Sequence, residues 1–110
     1  MENYTIQTQF DDDFVFIDFN NNDGNKISNV FIGDFKENKN NFIHLKNNLY
    51  NEEFYVISFM DDNLNGGFTI EKKNNVIEFS NTSNILYTVC ITVKINKEIE
   101  KMLDEIIMKC

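Results

Sequence analysis

The stretch Ile85-Leu86-Tyr87-Thr88-Val89-Cys90-Ile91-Thr92-Val93-Lys94-Ile95, followed at once by Asn96-Lys97-Glu98-Ile99-Glu100-Lys101-Met102-Leu103-Asp104-Glu105-Ile106-Ile107-Met108-Lys109-Cys110, decides the fold. In the first segment Ile85, Tyr87, Val89, Ile91, Val93 and Ile95 alternate with Leu86, Thr88, Cys90, Thr92 and Lys94. That is the period of a strand, and it assigns the odd set to the core. In the second, Ile99, Met102, Leu103, Ile106 and Cys110 recur at i, i+3, i+4, i+7 and i+11, which gathers them on one helix face. Asn96 is placed to cap this helix, with Glu98 and Glu100 near its positive end. Such a face must be buried, each large apolar side chain contributing roughly 1.5 to 3 kcal/mol, and a sheet one layer thick needs that cover.

The rest of the chain supplies the sheet. Tyr4, Ile6, Thr8 and Phe10 alternate with Thr5, Gln7 and Gln9, the pattern of a strand with one apolar face. Asp11, Asp12 and Asp13 interrupt it, and Phe14-Val15-Phe16-Ile17-Asp18-Phe19 then reads as a strand partly covered on both faces, completing a hairpin. Asp23-Gly24 suits a turn that needs positive φ. Ile27, Val30, Phe31 and Phe35 also fit a helical face, but the β-branched Val30-Phe31-Ile32 favours a strand. Residues 36–41 read as a polar loop, and residues 42–50 carry no clear period. Phe54-Tyr55-Val56-Ile57-Ser58-Phe59 is a continuous β-type run, expected as a central strand, and residues 60–67 hold a turn-rich, exposed loop. Two further β-type runs, Phe68-Thr69-Ile70-Glu71 and Val76-Ile77-Glu78-Phe79, flank Lys72-Lys73-Asn74-Asn75 as a tight hairpin. The expected fold is α+β in a single domain spanning residues 1–110. It is a mostly antiparallel twisted β-sheet of about six to eight strands packed against one C-terminal amphipathic helix.

Composition narrows the function. With 110 residues and 42% hydrophobic content the chain is long enough to bury a core without disulfides or metals. A formal charge of −8 and a pI near 4.5 oppose direct binding to nucleic acid, whose affinity comes from Lys and Arg on phosphates, and favour a basic protein partner. Cys90 and Cys110 do not make a disulfide framework, and Met1-Glu2-Asn3-Tyr4 shows no basic region leading into an apolar stretch, so a cytoplasmic protein is expected. No apolar run approaches the roughly 20 residues needed to span a bilayer, so no membrane association is expected. Abundant Asn, Lys, Ile and Phe without Pro or Trp point to an AT-rich genome, so the asparagines carry no functional weight.

Enzyme chemistry is not legible. His44 stands between Ile43 and Leu45 without a serine, cysteine or second histidine at triad or metal spacing. Setting Gly24 at the sixth position of a calcium loop puts Phe19 first and Val30 twelfth, where carboxylates are required. Asn65-Gly66-Gly67 lacks the Lys and Ser or Thr of a phosphate loop. Cys90 and Cys110 fall in a strand and at the end of an apolar helix face, where packing explains them. The expectation is therefore no catalytic residue, no cofactor and no metal. Three acidic groups remain as candidate partner contacts: Asp11, Asp12 and Asp13; Glu52 and Glu53; and Asp61 and Asp62 with Asn63 and Asn65. Carboxylates of this kind accept bidentate hydrogen bonds from arginine, and the Asp61-Asp62 loop, between two well-marked strands, ranks first.

The second half of the chain resembles immunity protein family ten of bacterial polymorphic toxin systems. The likeness lies in a strand (Phe54-Tyr55-Val56-Ile57-Ser58-Phe59), an acidic and amide-rich loop ending in a glycine pair (Asp61-Asp62-Asn63-Leu64-Asn65-Gly66-Gly67), a hairpin, the alternating Ile91-Thr92-Val93 and a terminal helix. The loop here is shorter and filled with asparagine, and Asp61, Asp62, Gly66 and Gly67 are the positions that match the motif. The resemblance implies stoichiometric neutralisation of a cognate, basic toxin, without turnover. Two other readings stand beside it: an acidic phage-type inhibitor that mimics nucleic acid and blocks a basic enzyme, and a domain that binds a small ligand among its phenylalanines. Several β-runs also leave sheet edges, and an exposed edge offers a route to a homodimer by strand pairing.

Overall fold

Alternation in the N-terminal third folds as an antiparallel meander of β1 (Thr5–Phe10), β2 (Phe14–Asn20) and β3 (Lys26–Gly33). The computed structural model describes residues 3–60, 66–83 and 86–110. Ile6 faces Phe19, Phe10 faces Val15, and Val15 and Ile17 face Ile32 and Val30. This register collects those side chains on the inner face and leaves Phe14, Phe16 and Phe31 together on the outer one. The β2–β3 turn needs Gly24, whose φ is 81°, and the Asn21 side chain accepts from the backbone N–H groups of Asp23 (3.0 Å) and Asn25 (2.9 Å).

A second antiparallel sheet follows in simple chain order: β4 (Tyr55–Met60), β5 (Gly67–Lys73), β6 (Val76–Ser83) and β7 (Leu86–Lys94). Between the sheets lie a 3-10 turn (Phe35–Asn38) and helix α1 (Lys39–Asn47), and helix α2 (Lys97–Lys109) ends the chain. The inner faces of both sheets and the apolar faces of both helices close over one core. Phe19 meets Phe79 at 5.3 Å between ring centroids and Phe42 stacks near Phe68 at 6.2 Å. Helix α2 starts where expected, with the Asn96 side chain accepting from the Glu98 N–H at 2.9 Å, and it buries Ile99, Met102, Leu103 and Ile106. No described helix is long and apolar enough to cross a membrane.

The α+β class and the strand number agree with the sequence, and four details correct it. The polar loop expected at residues 36–41 is instead the 3-10 turn and the start of α1. Asparagines make α1 intrinsically weak, and it is held by burying Phe42 and Leu45 rather than by propensity. The strand expected to be central, β4, is an edge of its sheet. Lys72 is no turn residue, since it follows Phe68 and Ile70 on the inner face of β5 and is 0% exposed. Its ammonium is satisfied by the carbonyl oxygens of Asn51 and Glu53, both at 2.7 Å, and by Asn51 Oδ1 at 3.2 Å, which ties down the α1–β4 connection. Finally, the odd set of the last strand splits. Phe79 faces Ile91 but Ser80 faces Val89, so Cys90 is an extra residue and the faces exchange there. Ile91 and Val93 are buried, whereas Tyr87 and Val89 are 55% and 49% exposed; Ile85 lies outside the described residues.

The two glycines at the start of β5 differ in what surrounds them. A Cβ on Gly67 would run into the Phe59 carbonyl oxygen and come within 3.1 Å of Met60 Cα, whereas the nearest atom to one on Gly66 is the Thr82 carbonyl oxygen at 3.7 Å. Gly67→Ala should therefore lower the unfolding free energy by about 1–3 kcal/mol in urea denaturation, and Gly66→Ala should leave it nearly unchanged.

Candidate functional site

Three phenylalanines on the solvent side of a sheet are unusual enough to mark a surface. Strand alternation puts Phe14 and Phe16 outward from β2 because Val15 and Ile17 point inward, and Phe31 joins them from β3. Their rings sit 5.2–5.5 Å apart in tilted and edge-on contacts. Gly33 keeps this packing possible, since a Cβ there would press on the Phe31 ring at 3.3 Å. Beside them, between the two sheets, opens a cleft of about 300 Å³ lined by Phe14, Phe31 and Phe59, by Gly67, and by Asp13 and Asp34.

The acidic side of the cleft is set by backbone bonds. Asp11 N–H donates to the Phe14 carbonyl (2.8 Å) and closes the β1–β2 turn, while Asp34 N–H donates to the Asp13 carbonyl (2.7 Å) and brings the two acidic residues together. Asp34 takes φ 51° and ψ 39°, a left-handed conformation that aspartate tolerates better than most residues. Neither Asp13 nor Asp34 has a side-chain hydrogen bond or ion pair among the described residues. Lys36 and Lys109 lie elsewhere, over the Phe35 and Phe10 rings, and share a shallow cleft with Asp11 and Asp12.

The walls of the cleft are joined by one side chain. Asn81, on β6, accepts from Phe31 N–H at 3.0 Å and donates to the Phe31 carbonyl at 2.6 Å and to the Gly67 carbonyl at 3.1 Å. Its amide thus pairs with β3 as a further strand would, and it also holds β5. Ser28 Oγ adds a bond to the Cys90 carbonyl at 2.8 Å, across the same junction.

Of the residues singled out from the sequence, Asp13 lines the cleft and Asp11 and Asp12 stand on the adjoining turn. Glu52 and Glu53 are not brought to them. They precede β4 at Tyr55, and the cleft lies at the other end of that strand, about 17 Å away at roughly 3.3 Å per residue. Glu53 meets His44 at 3.1 Å, a contact that occupies the single histidine. Asp61, Asp62, Asn63 and Asn65 lie outside the described residues; Gly66, which follows them in the chain, lines the cleft. Asp34, Phe14, Phe31 and Asn81 were not singled out. The available signal was aromatic residues at outward positions of β2 and β3, where polar ones are usual.

Burial raises the thiol pKa of Cys90 above its ordinary value, and it does the same at Cys110 against the opposing pull of Lys39 and Lys36. Both side chains are thus held as thiols, the form with little nucleophilicity. No group of His, Cys, Asp and Glu among the described residues is arranged to hold a metal. Comparison with known proteins finds no matching family model, no matching curated protein and no matching solved structure.

Replacing Asn81 by leucine keeps the number and branching of the side-chain heavy atoms and removes the amide, taking away its bonds to the N–H and carbonyl of Phe31. Asn81→Leu should destabilise the protein by about 1–3 kcal/mol and speed hydrogen exchange at the Phe31 amide, measured by urea denaturation and NMR. An unchanged midpoint with unchanged exchange would show that this bond does not join the sheets.

Proposed function

We propose that this chain is an immunity protein of the bacterial cytoplasm, which neutralises a cognate basic toxin by stoichiometric binding through the phenylalanine cleft and its acidic side. The observation that carries the reading is the junction of outward Phe14, Phe16 and Phe31 with Asp13 and Asp34, which have no side-chain partner among the described residues, on a chain of net charge −8. Interfaces concentrate their binding energy in aromatic residues at a desolvated centre with charge at the rim, and this surface has that composition. An acidic surface also speeds and orients encounter with a basic partner. The resemblance of the second half to immunity protein family ten supports the same reading, and Gly67, one of its motif positions, lines the cleft.

A second reading, binding of a small ligand, draws on the cleft volume of about 300 Å³, which is at the lower end of ligand pockets. Two carboxylates and no cationic side chain among the described lining residues favour a cationic ligand there.

Co-expression with the product of the adjacent upstream gene tests the proposal, scored by host growth and by co-purification. Rescue from toxicity with a one-to-one complex is expected, and charge reversal by Asp13→Lys with Asp34→Lys should weaken that complex at least about 10-fold, mainly by slowing association. A harmless neighbour that does not co-purify would end the immunity reading.

A further inference from the structure

We infer that the cleft between the sheets is a receptor for one arginine side chain of the protein partner; this rests on the partner-binding reading of the same surface. Phe14 and Phe31, with centroids 5.3 Å apart, form one wall, and Phe59, on β4, lines the other sheet's side. Gly66 also lines the cleft, and the nearest described atom to a Cβ there is the Thr82 carbonyl oxygen at 3.7 Å, so the cleft keeps room on that side for a flat group. The 2.7 Å bond from Asp34 N–H to the Asp13 carbonyl sets these two residues opposite each other, and both line the cleft, so one cation entering it meets two acidic residues.

The choice of guanidinium follows from the mixture of walls. An ammonium is a compact, strongly hydrated charge, and entering an aromatic cleft would strip its water. A guanidinium is planar and weakly hydrated, stacks on aromatic faces, and presents a fork of donors that two carboxylates can accept together. Because Asn81 bonds both Phe31 and Gly67, the walls are set before the partner arrives, which lowers the ordering cost of binding. An anionic ligand is opposed by both carboxylates.

The test is titration of the full, isotope-labelled chain with a capped pentapeptide carrying one central arginine between glycines, followed by amide NMR. Analogues with lysine or glutamine at the centre, and capped free arginine, are the comparison arms. Saturable shifts are expected at Phe14, Phe31, Gly33, Asp34 and Gly67, with the lysine peptide at least about 5-fold weaker and the glutamine peptide without saturation. Capped free arginine binding at least about 10-fold more tightly than the peptide would overturn a side-chain receptor in favour of a small-molecule site. Asp13→Asn with Asp34→Asn should weaken the arginine peptide at least about 10-fold while the spectrum stays that of a folded protein. Asp13→Asn alone, at an exposed position, gives the same direction of change if the double variant misfolds. Equal binding of lysine and arginine peptides, or shifts spread evenly over the acidic surface, would overturn the inference. Those results would leave rescue in co-expression unaffected, whereas lost rescue with intact arginine binding would remove the immunity reading and keep the cleft.

Discussion

The side-chain amide of Asn81 is the contact on which the arrangement of the two sheets depends. The meander β1–β2–β3 and the sheet β4–β7 share no backbone ladder among the described residues, and β3 would otherwise end in an open row of donors and acceptors. One asparagine supplies both an acceptor and donors to Phe31 and reaches Gly67 as well. The apolar contacts between the sheets, such as Phe19 with Phe79, provide most of the burial, but they are non-directional and do not by themselves fix an angle. Directional bonds do, and the cleft inherits its shape from them.

The other edge of the meander is closed by acidic residues, which changes how the net charge is read. Glu98 accepts from Ile6 N–H at 2.8 Å and Glu105 from Thr8 Oγ at 2.5 Å, so two carboxylates of α2 seal β1. Asp104 pairs with Lys46 to link the helices, and Asp18 accepts from Asn29 at 2.6 Å on the outer face of the meander. These acids have structural employment. Asp13 and Asp34 have no side-chain partner among the described residues, and they line the cleft with Phe14 and Phe31. A charge of −8 spread over a domain needs no partner to explain it, whereas two carboxylates without a side-chain partner among the described residues, beside half-buried rings on an outer sheet face, are what the proposed recognition rests on.

The legible parts of the fold are those where one local rule acted alone. β1, β2 and α2 carry clean periods, and the Asn96 cap and the turn at Gly24 are local chemistry. The last strand broke its rule at Cys90, because a bulge is a property of the pairing and not of the strand itself. Helix α1 hid its buried Phe42 and Leu45 among asparagines, and Lys72 looked like a turn because a buried ammonium is satisfied only by carbonyls distant in sequence. The same division holds for the site. Asp11, Asp12 and Asp13 were legible as an acidic turn, but Asp34 joins Asp13 only through the β2–β3 pairing, and nothing in the residues around Asn81 announces its partner Phe31, fifty positions away.

Docking of a protein partner on the acid-sided phenylalanine cleft would be read out by hydrogen–deuterium exchange of this chain, free and bound to the basic partner proposed for it. Slowed exchange at Phe14, Phe16, Phe31, Gly33 and Asp34 is the predicted footprint. Protection confined to the exposed strand edge at residues 86–89, or to Glu52 and Glu53, with the cleft residues unchanged, would contradict it.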